Sequence, residues 1–396
     1  MGEPQAEPKL ISTTDPLVVP ILSLSNFVIG MGAFVVIGML IPIAEDLEIS
    51  TAGAGWIMTS YAIAYAILSP LLVALTGQIG RRKVLAMGLG LFALASLAAT
   101  LAPTQLTLNA SRMLAAAGAG LFTPVAAATA AGLSGPERQG RALAAVFFGL
   151  TLAQVVGVPA GSFIAYTFGW RSAFMIVVAL ALPCLYLIWT RIPAGLSFQT
   201  VRLRDLGQVL ADFPTMLSIL FTTSFLGGIY VIYTYLAPLL TETSGYGRNG
   251  VTLLLLVFGC GAVVGNLLGG ILADKLGPHR SLLGLCGAQV LLSPTFSLLP
   301  LSDVATLLLV FLWSSCGWSF LASQQLRLIS IAPEKVSVVF ALNAAAIYVG
   351  AAWGAAIGGM VLSLSGLGML GLTGGGLMII AFIHLVVSER LSASKV

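Results

Sequence analysis

The sequence predicts an all-α integral membrane protein whose twelve transmembrane helices form two pseudo-symmetric six-helix bundles. Three observations predict it. The chain is 58% hydrophobic and only 8% charged over 396 residues, against about 25% charged residues in a soluble domain. Its apolar stretches are continuous rather than alternating, which selects helices over a barrel, since only those two structures satisfy the backbone in lipid. Third, the second half repeats the first at a constant offset of 197 residues: Gly80 maps to Gly277, Lys83 to Arg280, Pro136-Glu137-Arg138 to Pro333-Glu334-Lys335, and Gly157 and Gly161 to Gly354 and Gly358. A parallel repeat of six spans belongs to transporter architectures that bind a substrate between the halves near the midplane.

About 20 apolar residues cross a bilayer core. Runs of that kind fall at 17–43, 54–76, 84–102, 105–132, 139–167, 170–190, 213–239, 250–273, 281–300, 304–331, 335–364 and 367–388. Pro, Gly or charged residues punctuate the gaps. The expected organisation is a tail over 1–16, a first bundle over 17–190, a polar linker over 191–212, a second bundle over 213–388, and a short tail over 389–396. Residues 1–16 carry Pro4, Pro8 and Pro16 and no apolar segment, which reads as a tail rather than a cleaved signal.

Charge placement sets the expected topology. With both termini cytoplasmic, 14 of the 18 cations fall in cytoplasmic segments, among them Arg81, Arg82, Lys83, Arg191, Lys275, Arg280 and Arg390. Only Arg171 and Arg248 fall in outer loops, and Arg112 and Arg327 lie within spans. That asymmetry is the positive-inside pattern. It accounts for the net charge of +4 without a nucleic-acid partner.

The absences are equally informative. All 14 carboxylates lie in tails, loops or at span ends, so no buried acid at mid-membrane offers itself as a proton carrier. Cys184, Cys260, Cys286 and Cys316 sit in apolar runs without ligand spacing, and His279 and His384 are the only histidines. No metal site, cofactor, nucleotide-binding loop or paired-carboxylate site is expected, which argues against an enzyme and an ATP-driven pump. A receptor or scaffold would bring large soluble domains, and none is visible.

Arg112, inside span 4, is the sharpest positive signal. A guanidinium there either faces a cavity and its substrate or snorkels to the outer headgroups. Arg327, near the inner end of span 10, reads as a boundary or gate residue. Span 5 carries Gly149, Gly157, Pro159 and Gly161, matched by Gly350, Gly354, Gly358 and Gly359 in span 11. Such spacing suits either tight packing or a moving seam, with Pro159 bending its helix. Asn26, Gln154, Tyr230, Tyr233, Gln324 and Asn343 join Arg112 as candidate substrate ligands. Tyr61, Tyr65, Gln325 and Trp353 are further polar or aromatic positions within spans. Each single amide is equally readable as an interhelical hydrogen bond. Together they outline an apolar, aromatic cavity with a few polar groups, suited to an uncharged or amphipathic small molecule. Arg81, Arg82, Asp274 and Arg280 are the candidate cytoplasmic gate.

On these residues the chain resembles the major facilitator superfamily over its whole length, and within it the twelve-span drug:proton antiporters, especially the sugar-efflux and chloramphenicol-export branch. Gly80-Arg81-Arg82-Lys83 resembles the end of the loop motif after span 2. Arg112 matches the span 4 arginine, and Gly157-Val158-Pro159-Ala160-Gly161 with Phe168-Gly169-Trp170-Arg171 resembles the span 5 antiporter motif and its outer loop. Tyr235-Leu236-Ala237-Pro238-Leu239-Leu240 and Leu342-Asn343 are also similar to this branch. The resemblance implies export of a small molecule from a bacterial-type inner membrane, by a monomer, in exchange for protons. Two positions depart from it. Gly77-Gln78 replaces the Asp-Arg that opens the loop motif, with Asp274 keeping the acid in the second half. Ala33, in Gly32-Ala33-Phe34, replaces the span 1 glutamate, which leaves uncoupled transport or coupling through Arg112 as the expectation from the residues. A uniporter for a sugar, nucleoside or similar metabolite is the alternative.

Overall fold

A computed structural model of the chain describes residues 15–134, 139–194, 196 and 203–393. The repeat site at Pro136-Glu137-Arg138 and most of the N-terminal tail lie outside the described residues. Among the described residues, twelve helices are long and apolar enough to cross a membrane: Val18–Gly38, Thr51–Leu75, Arg81–Thr100, Gln105–Leu133, Ala145–Phe168, Trp170–Arg191, Phe213–Ser244, Arg248–Leu276, Pro278–Leu298, Asp303–Ile331, Val338–Ser365 and Leu367–Ser392. They are spans 1 to 12. Between spans 6 and 7 the linker contains a short helix, Leu203–Ala211.

The two bundles use the same neighbours, shifted by six. Span 1 packs on 5 and 6, span 2 on 4, and span 3 on 4 and 6; span 7 packs on 11 and 12, span 8 on 10, and span 9 on 10 and 12. The bundles meet along two seams, span 2 against 11 and span 5 against 8. Large aliphatic side chains such as Leu106, Leu291 and Leu364 stay exposed on the outer surface, where lipid replaces water and burial would gain nothing.

The apolar run expected to continue to residue 43 breaks instead. Span 1 tightens into a 3-10 turn over Val35–Gly38, and a separate helix, Leu40–Asp46, follows. Pro42 is the cause. It has no N–H to return to the Gly38 carbonyl, and an unpaired carbonyl in lipid is costly. Ser162 of span 5 takes over, donating its hydroxyl to that carbonyl at 2.7 Å. The same substitution recurs in span 4. Pro124 cannot reach back to Gly120, and the Ser69 hydroxyl of span 2 donates to the Gly120 carbonyl at 2.7 Å. Span 7 breaks at the position corresponding to the break in span 1, around Thr234-Tyr235, before Leu236–Ser244. In span 5 the backbone widens into a π turn over Ala153–Gly157, just ahead of Pro159.

The face carrying the chain ends is the termini face here, and the opposite face is the distal face. At the distal face Asp46 is clasped by Arg171 and by the Trp170 indole N–H at 3.1 Å. Arg171 also donates to the Ala102 carbonyl at 3.0 Å. One loop thereby ties together the distal ends of spans 1, 3 and 6.

Ser162→Ala should strand the Gly38 carbonyl and cost about 1–3 kcal/mol, read as a lower unfolding midpoint in detergent, whereas Ser162→Thr should keep the bond. The Arg171 hydrogen bond holds the Asp46 carboxyl below its ordinary value. The stabilisation is therefore present above the ordinary carboxylate pKa of about 3.9 and is lost as pH falls through the lower folded value. Because both groups are partly exposed, Asp46→Asn should cost under about 1 kcal/mol at neutral pH and flatten that acid loss in a pH series of melting curves.

Candidate substrate site and gates

Between the bundles, near mid-depth, the structure assembles a layer of aromatic rings. Tyr65 of span 2 stacks on Tyr348 of span 11, with centroids 3.6 Å apart and planes at 22°. Tyr61, one turn away on span 2, lies 6.4 Å from both. On span 7 Tyr230 meets Tyr233 edge-on at 5.6 Å. Tyr233 stacks on Phe258 of span 8 at 4.1 Å, which neighbours Trp313 of span 10 at 5.8 Å. Tyr61, Tyr230 and Tyr233 are fully buried, yet the hydroxyls of Tyr61 and Tyr233 have no hydrogen-bond partner, nor has the Gln154 amide oxygen. Buried polar atoms are ordinarily paired, and these three are exceptions.

Arg112 is buried without exposure, so it does not snorkel. Its two terminal nitrogens donate to the span 1 carbonyls of Gly32, at 2.7 Å, and Ala33, at 2.9 Å. Its guanidinium carbon lies 4.5 Å from the Tyr61 ring centroid and 5.5 Å from that of Phe174. Its Nε is buried and unpaired. Tyr61 therefore stands between Arg112 and the seam tyrosines.

The remaining candidates divide. Asn26 donates to the Val146 carbonyl at 3.2 Å and accepts from Thr123 at 3.0 Å, joining spans 1, 4 and 5. Gln324 donates to the Ser218 carbonyl at 2.8 Å and to Thr222 at 3.1 Å, and Thr222 donates to Asn343 at 2.6 Å, joining spans 7, 10 and 11. These are the same three helices of each bundle. The three amides are placed as ties within a bundle, while Arg112, Gln154, Tyr230 and Tyr233 gather near the seam. Gln154 sits in the π turn of span 5, where a Cβ on Gly259 of span 8 would overlap the Val155 backbone. Gln325 and Trp353 are exposed and turn away from the centre.

At the termini face Arg82 donates to the Trp189 carbonyl at 3.4 Å and lies 5.0 Å from the Trp189 ring centroid. The Arg81 N–H donates to the Leu196 carbonyl at 3.1 Å. Both ties hold the loop after span 2 to the end of its own bundle. Asp274 and Arg280 are exposed at the ends of spans 8 and 9. At the distal face the bundles are joined directly. Arg248 donates to Thr167 at 3.0 Å and lies 4.8 Å from the Phe163 ring centroid. The Tyr235 hydroxyl, donating to the Ala355 carbonyl at 3.0 Å, fills the space a side chain at Gly55 would need.

Tyr348 and the partners of Arg327 escaped sequence reasoning. Tyr348 carries no motif, and only its stacking on Tyr65 reveals it. Arg327, expected at a boundary, is buried and paired with Glu389 at 2.9 Å. It also donates to Ser388 at 2.7 Å, and His279 lies 3.6 Å from the same carboxylate. The partners come from spans 9 and 12, so no sequence spacing announces them.

Gly55→Val should expel the Tyr235 ring and weaken distal closure, seen as a longer distance between spin labels at Ser50 and Ser363. Gly259→Leu should wedge the seam between spans 5 and 8 and slow transport at least about 10-fold, the cost of a small misplacement at a packed backbone contact.

The Major Facilitator Superfamily model matches residues 22–355. Over 378 residues the chain is 32% identical to the uncharacterized MFS-type transporter YbcL of Bacillus subtilis strain 168, covering 95% of this chain and 97% of that one. Over 369 residues it is 29% identical to a probable sugar efflux transporter of Helicobacter pylori, covering 92% and 93%. Its fold is similar to the crystal structure of a bacterial homolog of the human lysosomal transporter Spinster in an inward-facing, unoccupied conformation. That match has a TM-score of 0.74 at 17% identity and covers 96% of this chain and 97% of the other. With its twelve spans, repeated bundles and closed seam, the chain belongs to the Major Facilitator Superfamily.

Proposed function

We propose that the chain is a secondary transporter that exports small organic molecules by alternating access across a bacterial-type inner membrane, with both termini cytoplasmic. The observation that carries this reading is the aromatic layer at mid-depth. Tyr65 and Tyr348 belong to different bundles yet stack face to face, and the polar atoms beside them are buried without partners. A ligand entering here would part the two rings and satisfy those atoms, which is how binding couples to rocking of one bundle on the other. Arg112 orients the substrate, Gln154, Tyr230 and Tyr233 supply hydrogen bonds and stacking, and Asn26, Gln324 and Asn343 keep the helices behind them in register. Arg81, Arg82, Asp274 and Arg280 form the gate on the cytoplasmic side.

The cation asymmetry supports the orientation, and the relative described as a probable sugar efflux transporter supports export. Proton exchange is the coupling the branch implies, and the carrier functions as a monomer. A uniporter is the second reading. Ala33 favours it, because the group that Arg112 meets there is a backbone carbonyl rather than a side-chain acid.

Reconstitution into vesicles with an internal pH dye and a panel of drugs, sugars and nucleosides tests both readings. Substrate-driven proton flux supports exchange, uptake without flux supports the uniporter, and no transport of any panel member refutes the proposal. Tyr348→Ala should raise KM about 10-fold, the size of one lost aromatic pair at roughly 0.5–1.5 kcal/mol, while Tyr348→Phe should stay close to the parent.

A further inference from the structure

The charge balance of the membrane interior narrows the substrate class. Among the described residues, Arg112 lies buried in the interior of span 4, and Arg327 lies buried near the termini-face end of span 10. Arg327 is neutralised by Glu389 at 2.9 Å. Arg112 has no acid among its partners. Its neighbours are the carbonyls of Gly32 and Ala33 and the faces of Tyr61 and Phe174, and its Nε has nothing. Carbonyl dipoles and ring faces soften the burial of a cation but do not cancel its charge, and a guanidinium stays charged at neutral pH. The core next to the seam therefore holds one uncompensated positive charge, one ring away from the tyrosines that join the bundles.

A neutral ligand would leave that charge as it is, and a cationic one would add repulsion in a medium of low dielectric. An anion would remove the imbalance, and a carboxylate accepts guanidinium N–H groups in matched geometry. The flat rings of Tyr61, beside it, and of Tyr65 and Tyr348, one ring further towards the seam, suit an aromatic or similarly planar apolar body. We propose that the site takes organic monoanions, a carboxylate or comparable group facing Arg112 and a planar apolar portion lying between Tyr65 and Tyr348. The substrate then supplies the counter-charge that the protein withholds. This rests on the transport reading above and specifies its substrate.

The test uses the full chain in nanodiscs and three matched pairs of probes: benzoate and benzamide, 4-phenylbutyrate and 4-phenylbutyramide, 2-naphthoate and 2-naphthamide, with 4-phenylbutylamine as the cation. Binding is read by tyrosine and tryptophan fluorescence and by thermal shift. Each acid should bind at least about 10-fold more tightly than its amide, and the amine most weakly. Arg112→Gln should erase the difference between acid and amide, and Arg112→Lys should keep part of it. Should Arg112→Gln fail to fold, Ala33→Asp gives an independent arm. It places a carboxylate beside the same guanidinium and should remove the preference for acids without lowering thermal stability. Amides or the amine binding as well as the acids, none of the probes binding at millimolar concentration, or Ala33→Asp retaining the acid preference would each overturn the assignment. Transport of neutral or cationic members of the wider panel, with the acids excluded, sinks this inference and leaves the transporter standing; absence of all transport sinks the transporter itself.

Discussion

A polar group inside a bilayer has no water to fall back on, and the arrangement of this molecule follows from that constraint. The prolines make it visible. Pro42 and Pro124 each release a carbonyl inside a span, and in both cases a serine from a neighbouring helix closes the gap. Asn26, Asn343 and the Gln324 amide nitrogen answer the same demand, each finding its partner on another helix of its own bundle. Rigid bundles are the outcome. Among the polar atoms that escape the rule, those on Tyr61, Tyr233, Gln154 and Arg112 lie close to where the bundles meet.

This separation divides labour between structure and function. Within a bundle, glycines let backbones approach and hydroxyls lock the register; Gly149 against the Ser23 carbonyl is one such contact. Across the seam, aromatic faces and close backbone approaches replace hydrogen-bond ladders, so the surfaces can part without leaving many buried groups unpaired. At the distal face Arg248 bonds across the seam and Tyr235 packs across it, both at the periphery, as befits a contact that must be remade in every cycle. The bundles also differ electrically. Arg327, buried in the second, has its own carboxylate, whereas Arg112, buried in span 4 of the first, is held by carbonyls and ring faces.

Much of the fold was legible in the sequence because lipid writes it in large letters. Span number, the repeat and the placement of cations follow from length, composition and an offset that holds without insertions. Boundaries drifted where a residue type had two outcomes: Pro42 could have kinked span 1, and instead it ended one helix and began another. The site was only partly legible. Arg112 stood out because a cation within a span demands explanation, and Tyr230 and Tyr233 because polar rings do. The roles of Asn26, Gln324 and Asn343 could not be separated from those of Gln154 and Tyr233, since a buried amide looks the same in sequence whether its partner is a helix or a ligand. Tyr348 and Glu389 matter through partners on distant spans, a relation that only three dimensions supply.

The stacked pair of Tyr65 and Tyr348 has a bearing on leakage. Any carrier that opened to both compartments together would become a pore, and ions would discharge the membrane potential thousands of times faster than cargo moves. Two broad rings in face contact leave no thread of water between them. If, as proposed, they part only around a guest that fills the gap, the passage stays dry at every stage of the cycle, and the same atoms serve insulation and recognition.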